Sequence, residues 1–275
     1  MIYITGDTHG DFRNVERFCK KMQTSKDDVL IILGDAGINY YGPEQDKRKK
    51  KYLESLPITI FAIHGNHEMR PQTIPTYHEA DWNGGKVYME DDYPHILFAK
   101  DAELYELNGL FTFVVGGAYS VDKNYRLLHG LAWWPDEQPS DEIKRQVEEK
   151  LEGMDWEVDV VLTCAAPNLR ERPSNEMNAG DGDAAVHISR EDLQALHEKR
   201  MRRVLEIAWA KGNEVVILGA FGCGAFRNPP AVVAQAMKTV VKEYRMRFET
   251  IEFAVYCTTQ YDTNYRVFQQ VLGGM

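Results

Sequence analysis

Cysteine is scarce and scattered in this sequence. Cys19, Cys164, Cys223 and Cys257 form no C-x-x-C pair, so neither a zinc knuckle nor a disulfide framework is expected. Long apolar runs are missing as well. No stretch reaches the roughly 18 apolar residues that a membrane-spanning helix needs, and no membrane partner is expected. Positive charge is in deficit, with 32 Lys and Arg against 42 Asp and Glu and a formal net charge of −10. That balance argues against a nucleic-acid partner, because phosphate backbones demand a basic surface. It leaves room for a small phosphorylated substrate, since a bound dication inverts the sign of a local site. The chain opens on the apolar strand MIYIT with no basic segment or apolar signal core ahead of it, which makes the cytoplasm the expected location. Protein partners leave no readable signature. The basic runs at 46–51 and 198–203 lie among acidic residues at helical spacing and read as solvated faces.

What is present begins with 44% hydrophobic residues over 275 positions, enough for one large α/β domain or two modest ones. Three apolar runs in the first 70 residues each end in a compact polar turn. MIYIT runs into Gly6-Asp7-Thr8-His9-Gly10-Asp11, VLIIL into Gly34-Asp35-Ala36-Gly37, and ITIFAI into His64-Gly65-Asn66-His67-Glu68. Short β-branched runs separated by helix-length segments predict parallel strands in βαβ units. Ligand sites in such sheets form beyond the carboxyl ends of the strands. All three turns therefore open at one edge and carry Asp7, His9, Asp35, Asn66 and His67 into a common volume. Two carboxylates, imidazole and an amide oxygen suit Mn²⁺, Fe or Zn²⁺ better than a soft metal. Asp35 has an oxygen for each of two ions, and paired ions can clamp a phosphoryl group. The glycines allow sharp turns that bring short side chains close together.

These motifs resemble the first three blocks of the calcineurin-like metallophosphoesterase family, GDTHGD, GDAG and GNHE. The resemblance extends through VVGGAYSVDKNYR (114–126) and WWPDEQPS (133–140), and covers about residues 1–160. It implies Asp7 and His9 on one metal, Asp35 bridging, Asn66 on the second metal, and His67 as a general acid near the leaving oxygen. His64 is expected to be a packed strand histidine, and Trp133 and Trp134 to be packing aromatics. After them a helix is signalled by Ser140 as N-cap, by Asp141 and Glu142 in the first turn, and by Gly153 as the stop.

The family pattern continues with a T-H-x-x-P block and a later G-H-x-H. Here the first reads LTCAAP, with Cys164 in the histidine position, and no G-H-x-H follows; the later histidines are His187 and His197. Three readings stand: Cys164 ligates as a thiolate, His187 supplies an imidazole, or the chain changes family at this strand end. The third is favoured. His197 lies mid-helix among charged neighbours and is read as structural.

After residue 160 the chain carries its own pattern. A polar stretch spans 168–183. A helix from about Arg190 is capped by Ser189, with Leu193, Leu196, Val204, Ile207 and Ala208 as its apolar stripe. The strand EVVILG leads into GAFGCGAFRNPP (219–230). A helix follows with Asn228 as its expected cap, burying Val233, Met237, Val240 and Tyr244, and IEFAVYC (251–257) reads as a further strand. A strand, a loop with Gly219, Gly222 and Gly224, and a helix N-terminus can cradle a diphosphate on backbone N–H groups. TCAAPNLR, VILGAFGCGAFRNPP and FAVY resemble the C-terminal half of the microbial-type poly(ADP-ribose) glycohydrolase family, which has a macro-domain fold. The resemblance implies that Gly219, Gly222, Cys223 and Gly224 wrap an ADP-ribose diphosphate and that Phe226 lies against the distal ribose. That family's N-terminal catalytic loop has no counterpart in residues 1–160.

The expected fold is α/β: a metallophosphoesterase-like layered sandwich at 1–158, then a macro-like α/β region at 159–275. The expected function is metal-dependent phosphoester hydrolysis at a two-metal site, with Mn²⁺ (or Fe or Zn²⁺) as cofactor. The alternative is a macro-like module that binds ADP-ribose or another nucleotide diphosphate without turnover, or the remnant of an ADP-ribosyl glycohydrolase.

Overall fold

The computed structural model describes residues 1–120, 122–163, 189–210, 212–224, 228–255, 257, 259 and 261–274. Cys164, His187 and Phe226 lie outside the described residues. The chain divides into two compact units, Met1–Ala165 and Ala166–Met275.

In the first unit, strands β1 (Ile2–Thr5), β2 (Val29–Leu33) and β3 (Thr59–Ile63) alternate with helices α1 (Arg13–Met22) and α2 (Pro43–Glu54). The strands pair in parallel, Thr5 opposite Ile32 and Leu33 opposite Ile63, so their carboxyl ends share one edge. Strands β4 (His78–Trp82), β5 (Gly85–Glu90) and β6 (Tyr93–Ala99) complete a six-stranded sheet in the order β1-β2-β3-β6-β5-β4. A second sheet is formed by β7 (Glu103–Leu107), β8 (Leu110–Val115) and β9 (Val160–Thr163), with the short helix α3 (Lys123–Leu128) and helix α4 (Asp141–Gly153) between the last two strands.

Alternation along the strands explains the layering. Leu30, Ile32, Ile60 and Ala62 face α1 and α2 and pack on Phe12, Val15 and Leu53. Their neighbours Val29, Ile31, Phe61 and Ile63 face the second sheet and pack on Tyr105, Leu107, Val114 and Leu162. Phe113 on the far side of that sheet meets Leu151 of α4. The central strand β2 is apolar at every position because both of its faces are covered. Each fully buried Ile or Phe contributes about 1.5–3 kcal/mol relative to leaving it in water. Ser140 caps α4 as expected, its hydroxyl accepting from the Ile143 amide.

One part of the basic run at 46–51 departs from its expected role. Lys50 is buried and paired at 2.5 Å with buried Glu90 of β5. Asp46 is buried too and accepts from the amides of Tyr41 and Gly42 at the start of α2. A single turn of a mostly solvated helix thus faces inward.

The second unit contains α5 (Arg190–Ala210), β10 (Val215–Gly219), α6 (Pro230–Tyr244), β11 (Thr250–Ala254) and α7 (Thr263–Leu272). β10 and β11 pair in parallel from Val215–Thr250 to Gly219–Ala254. Val233, Met237 and Val240 of α6 form the centre of a core with Met201, Leu205, Leu218 and Phe268. Ser189 caps α5 through the Asp192 amide. The buried stripe of α5 is Leu193, His197, Met201 and Leu205, whereas Val204 and Ile207 are exposed. A strict four-residue repeat brings His197 inward and turns the expected β-branched positions out. Asn228 does not cap α6: Pro229 holds that position. The Asn228 side chain is instead buried beside His197, Nδ2 to Nε2 at 3.3 Å.

Candidate functional site

The turns after β1, β2 and β3 are held to one another by their backbones. The amides of Thr8 and His9 donate to Asp35 O at 3.2 and 2.9 Å, and that of Gly10 to Ala36 O at 2.8 Å. His9 and Asp35 both adopt left-handed backbone conformations, with φ of 46° and 44°. Such conformations cost of order 1–3 kcal/mol and persist where the surroundings enforce them, commonly at functional sites. Two glycines are required by contact. A Cβ on Gly37 would collide with the backbone of His9 and Gly10, and one on Gly65 would overlap Asp35.

This framework places side chains of three turns together. His9, Asp35 and His67 each offer a ligand atom within 4.8 Å of the others, and among the described residues no other three His, Cys, Asp or Glu do so. His67 Nδ1 lies 3.2 Å from Asp35 Oδ2, and the His67 amide donates to Asp35 Oδ1 at 2.9 Å. Asp7 Oδ2 lies 3.7 Å from His9 Nε2. Asn66, at the same rim, donates its Nδ2 to Ser120 Oγ at 2.9 Å. In this arrangement the amide oxygen is left to accept elsewhere. Ser120 is held in turn: its amide donates to Glu137 Oε1 at 3.0 Å, and Trp133 Nε1 donates to Glu137 Oε2 at 2.9 Å.

The electrostatics follow from this packing. The nearby Asp7 carboxylate, helped by the charges of Asp35 and Glu68, raises His9 above the usual imidazole range. Burial lowers His67, and the neighbouring Arg126 charge adds to the effect. Glu68, 1% exposed, is pushed up to about 8 by burial and then by Asp35. It accepts from the amides of Gly37 and Gly65, both at 3.2 Å, and so ties the second turn to the third. Arg126 of α3 donates from Nη2 to His67 Nε2 at 2.8 Å. The ring of Tyr40 lies 6.1 Å from that of His67 and 5.7 Å from that of Trp134.

The donors fit a divalent cation. They are carboxylate and imidazole, the set preferred by borderline ions, and they converge on a backbone held rigidly in an unfavourable conformation. His67, expected as a proton donor, stands within this group as well. The expected residues are therefore all at one rim: His9, Asp35 and His67 together, Asp7 against His9, Asn66 fixed by Ser120. Sequence reasoning missed Arg126, Ser120 and Glu137. They lie in the VVGGAYSVDKNYR and WWPDEQPS segments, which carried a family likeness but no spacing that would assign them a partner.

In the second unit, the loop after β10 is closed by its own backbone. The Phe221 amide donates to Gly219 O, that of Cys223 to Ala220 O, and that of Asn228 to Gly222 O, at 2.9–3.1 Å. The amide of Cys223, one of those expected for anion binding, is thus engaged within the loop. Gly222 has φ of 72°, and a Cβ there would collide with the Asn228 amide. Cys223 is buried, its thiol pushed up to about 12 by the loss of water, so it stays protonated and unreactive.

Comparison with known proteins gives two results. Solved structures similar to part of the chain include poly(ADP-ribose) glycohydrolase from Deinococcus radiodurans in complex with ADP-ribose, 27% identical over 41% of this chain and 42% of that one, at a TM-score of 0.32. The enzyme from Thermomonospora curvata is 28% identical over 40% and 37%, at 0.31. A mutant form of the T. curvata enzyme is 18% identical over 67% and 93%, at 0.34. The chain spans about four tenths of the length of the first two. No curated protein matches. The family model for calcineurin-like phosphoesterases matches residues 1–168, more than half of the chain. The chain belongs to the calcineurin-like phosphoesterase family.

Proposed function

We propose that the protein is a metal-dependent phosphoesterase whose site is the rim beyond β1, β2 and β3. The observation that carries this reading is the convergence of His9, Asp35 and His67 within 4.8 Å. Asp7 and His9 would hold one ion, Asp35 would be shared, and Asn66 would serve a second ion, with Mn²⁺ the favoured metal. When bound, such ions supply Lewis acidity and lower the pKa of water. The protein's own residues do the rest. Ser120 orients Asn66 through its amide nitrogen. Glu68 joins two turns and keeps Asp35 at a fixed distance from His67. His67 would give the proton that neutralises the leaving oxygen from its Nδ1–H, since its Nε2 accepts from Arg126.

Hydrolysis of an aryl phosphodiester with added Mn²⁺ tests the proposal. Asp35→Ala is expected to lower the rate by more than about 100-fold, since even the outer partners of metal ligands are worth 10–100-fold. Equal rates for wild type and variant would remove it.

A second reading concerns residues 159–275. The left-handed Gly222, in the loop between β10 and α6, supports binding of a nucleotide diphosphate at Gly219, Gly222, Cys223 and Gly224. Calorimetric titration of the full chain with ADP-ribose checks this: saturable heat is expected, and none at millimolar ligand in folded protein would eliminate it.

A further inference from the structure

Arg126 is buried, at 8% exposure, yet it carries a permanent charge. Three contacts tether it. Its Nε pairs with Asp122 Oδ1 at 2.9 Å, and its Nη1 donates to Tyr40 Oη at 3.0 Å and to Ala132 O at 3.1 Å. Those bonds already join α3 to the loop at 132 and to the start of the α2 segment. They do not involve Nη2. That edge is directed at His67 Nε2, 2.8 Å away, so the guanidinium touches the very ring that stands beside Asp35.

A neutral imidazole nitrogen is a modest acceptor for a guanidinium. A phosphoryl oxygen is a far better one, because it is itself anionic and adds ion pairing to the bond from the guanidinium. Other cations nearby are committed elsewhere: Lys49 donates to Gly10 O at 2.7 Å and covers the Tyr41 ring, and Lys123 covers the Trp133 ring. The rim itself carries the carboxylates of Asp7 and Asp35, so an anionic substrate needs a fixed positive partner beyond any bound ion.

From these contacts we infer that Arg126 is a substrate-binding residue: its Nη2 edge takes a nonbridging phosphoryl oxygen, while Asp122, Tyr40 and Ala132 hold the guanidinium in place. The inference rests on the phosphoesterase reading and extends it to a residue outside the metal-binding motifs.

The test is calorimetric titration of Mn²⁺-loaded protein with inorganic phosphate, run beside a Mn²⁺ titration of the same samples. Arg126→Gln is expected to weaken phosphate about 10–100-fold, the range for one charge-assisted bond, while Mn²⁺ affinity stays near that of wild type. Arg126→Lys keeps the charge but loses the fork and should fall between. Tyr40→Phe removes one tether and should weaken phosphate a few-fold, which keeps the test usable if Arg126→Gln does not fold. Equal phosphate affinity in wild type and the Arg126 variants would overturn the assignment and leave the hydrolase reading standing. Failure of Mn²⁺-loaded wild type to bind phosphate would overturn it too. The hydrolase reading fails separately, if Asp35→Ala hydrolyses ester as fast as wild type.

Discussion

His9 and His197 show how differently two imidazoles are treated by their surroundings. His9 is half exposed beside Asp7, and the carboxylate raises it. His197 is 4% exposed, and loss of water pushes it down to about 4, with the Arg200 charge adding to the shift. An unfolded chain takes up this proton near the ordinary value of 6.5, but the folded chain resists until about 4. Stability from this residue is therefore complete above pH 6.5 and is lost as pH falls toward 4. Chemical denaturation at pH 7 and at pH 4.5 should show wild type losing about 2–3 kcal/mol more than His197→Gln; equal losses would show that the imidazole is not the cause. The same residue marks a limit of reading from sequence. Its neighbours Arg190, Glu191, Asp192 and Glu198 suggest a solvated face, whereas burial depends on the segment just ahead of α6, which supplies Asn228. The meeting of Asp35 and His9 at one rim was readable because each sits in a short turn directly after an apolar strand. Arg126 and Ser120 act across 59 and 54 residues, and nothing local announces such a contact.

At the scale of elements, the strands and turns of the first 70 residues were the most readable part of the chain. Runs such as VLIIL cannot be solvated on either face, so they specify a central parallel strand. Glycine at positions 37 and 65 could be read as turn-forming, but its deeper reason is contact: those turns touch backbone to backbone, and no side chain fits between them. Helices were less transparent where polar residues face inward. α2 hides the pair Lys50–Glu90 within a run of lysines, and its partner strand is 40 residues away. The apolar residues of α5 are spread around the helix, so the expected stripe of Leu193, Leu196, Val204, Ile207 and Ala208 differs from the buried one of Leu193, His197, Met201 and Leu205. The cap of α6 was misplaced by one residue because Asn228, a good cap in isolation, is drawn instead into the core.

At the scale of the molecule, the two units follow two different patterns. Residues 1–165 form layers of helix, sheet, sheet and helix, and the family match ends close to that boundary, at residue 168. The second unit has its own core, built around α6. Among the described residues no helix is long and apolar enough to cross a membrane. The account as a whole depends on the rim beyond β1, β2 and β3 holding divalent cations through Asp35. Equilibrium dialysis with Mn²⁺ measures this most directly. Wild type is expected to retain at least one ion per chain and Asp35→Ala to lose it while still folded. Wild type that retains none, or a variant that binds as tightly as wild type, would contradict the account.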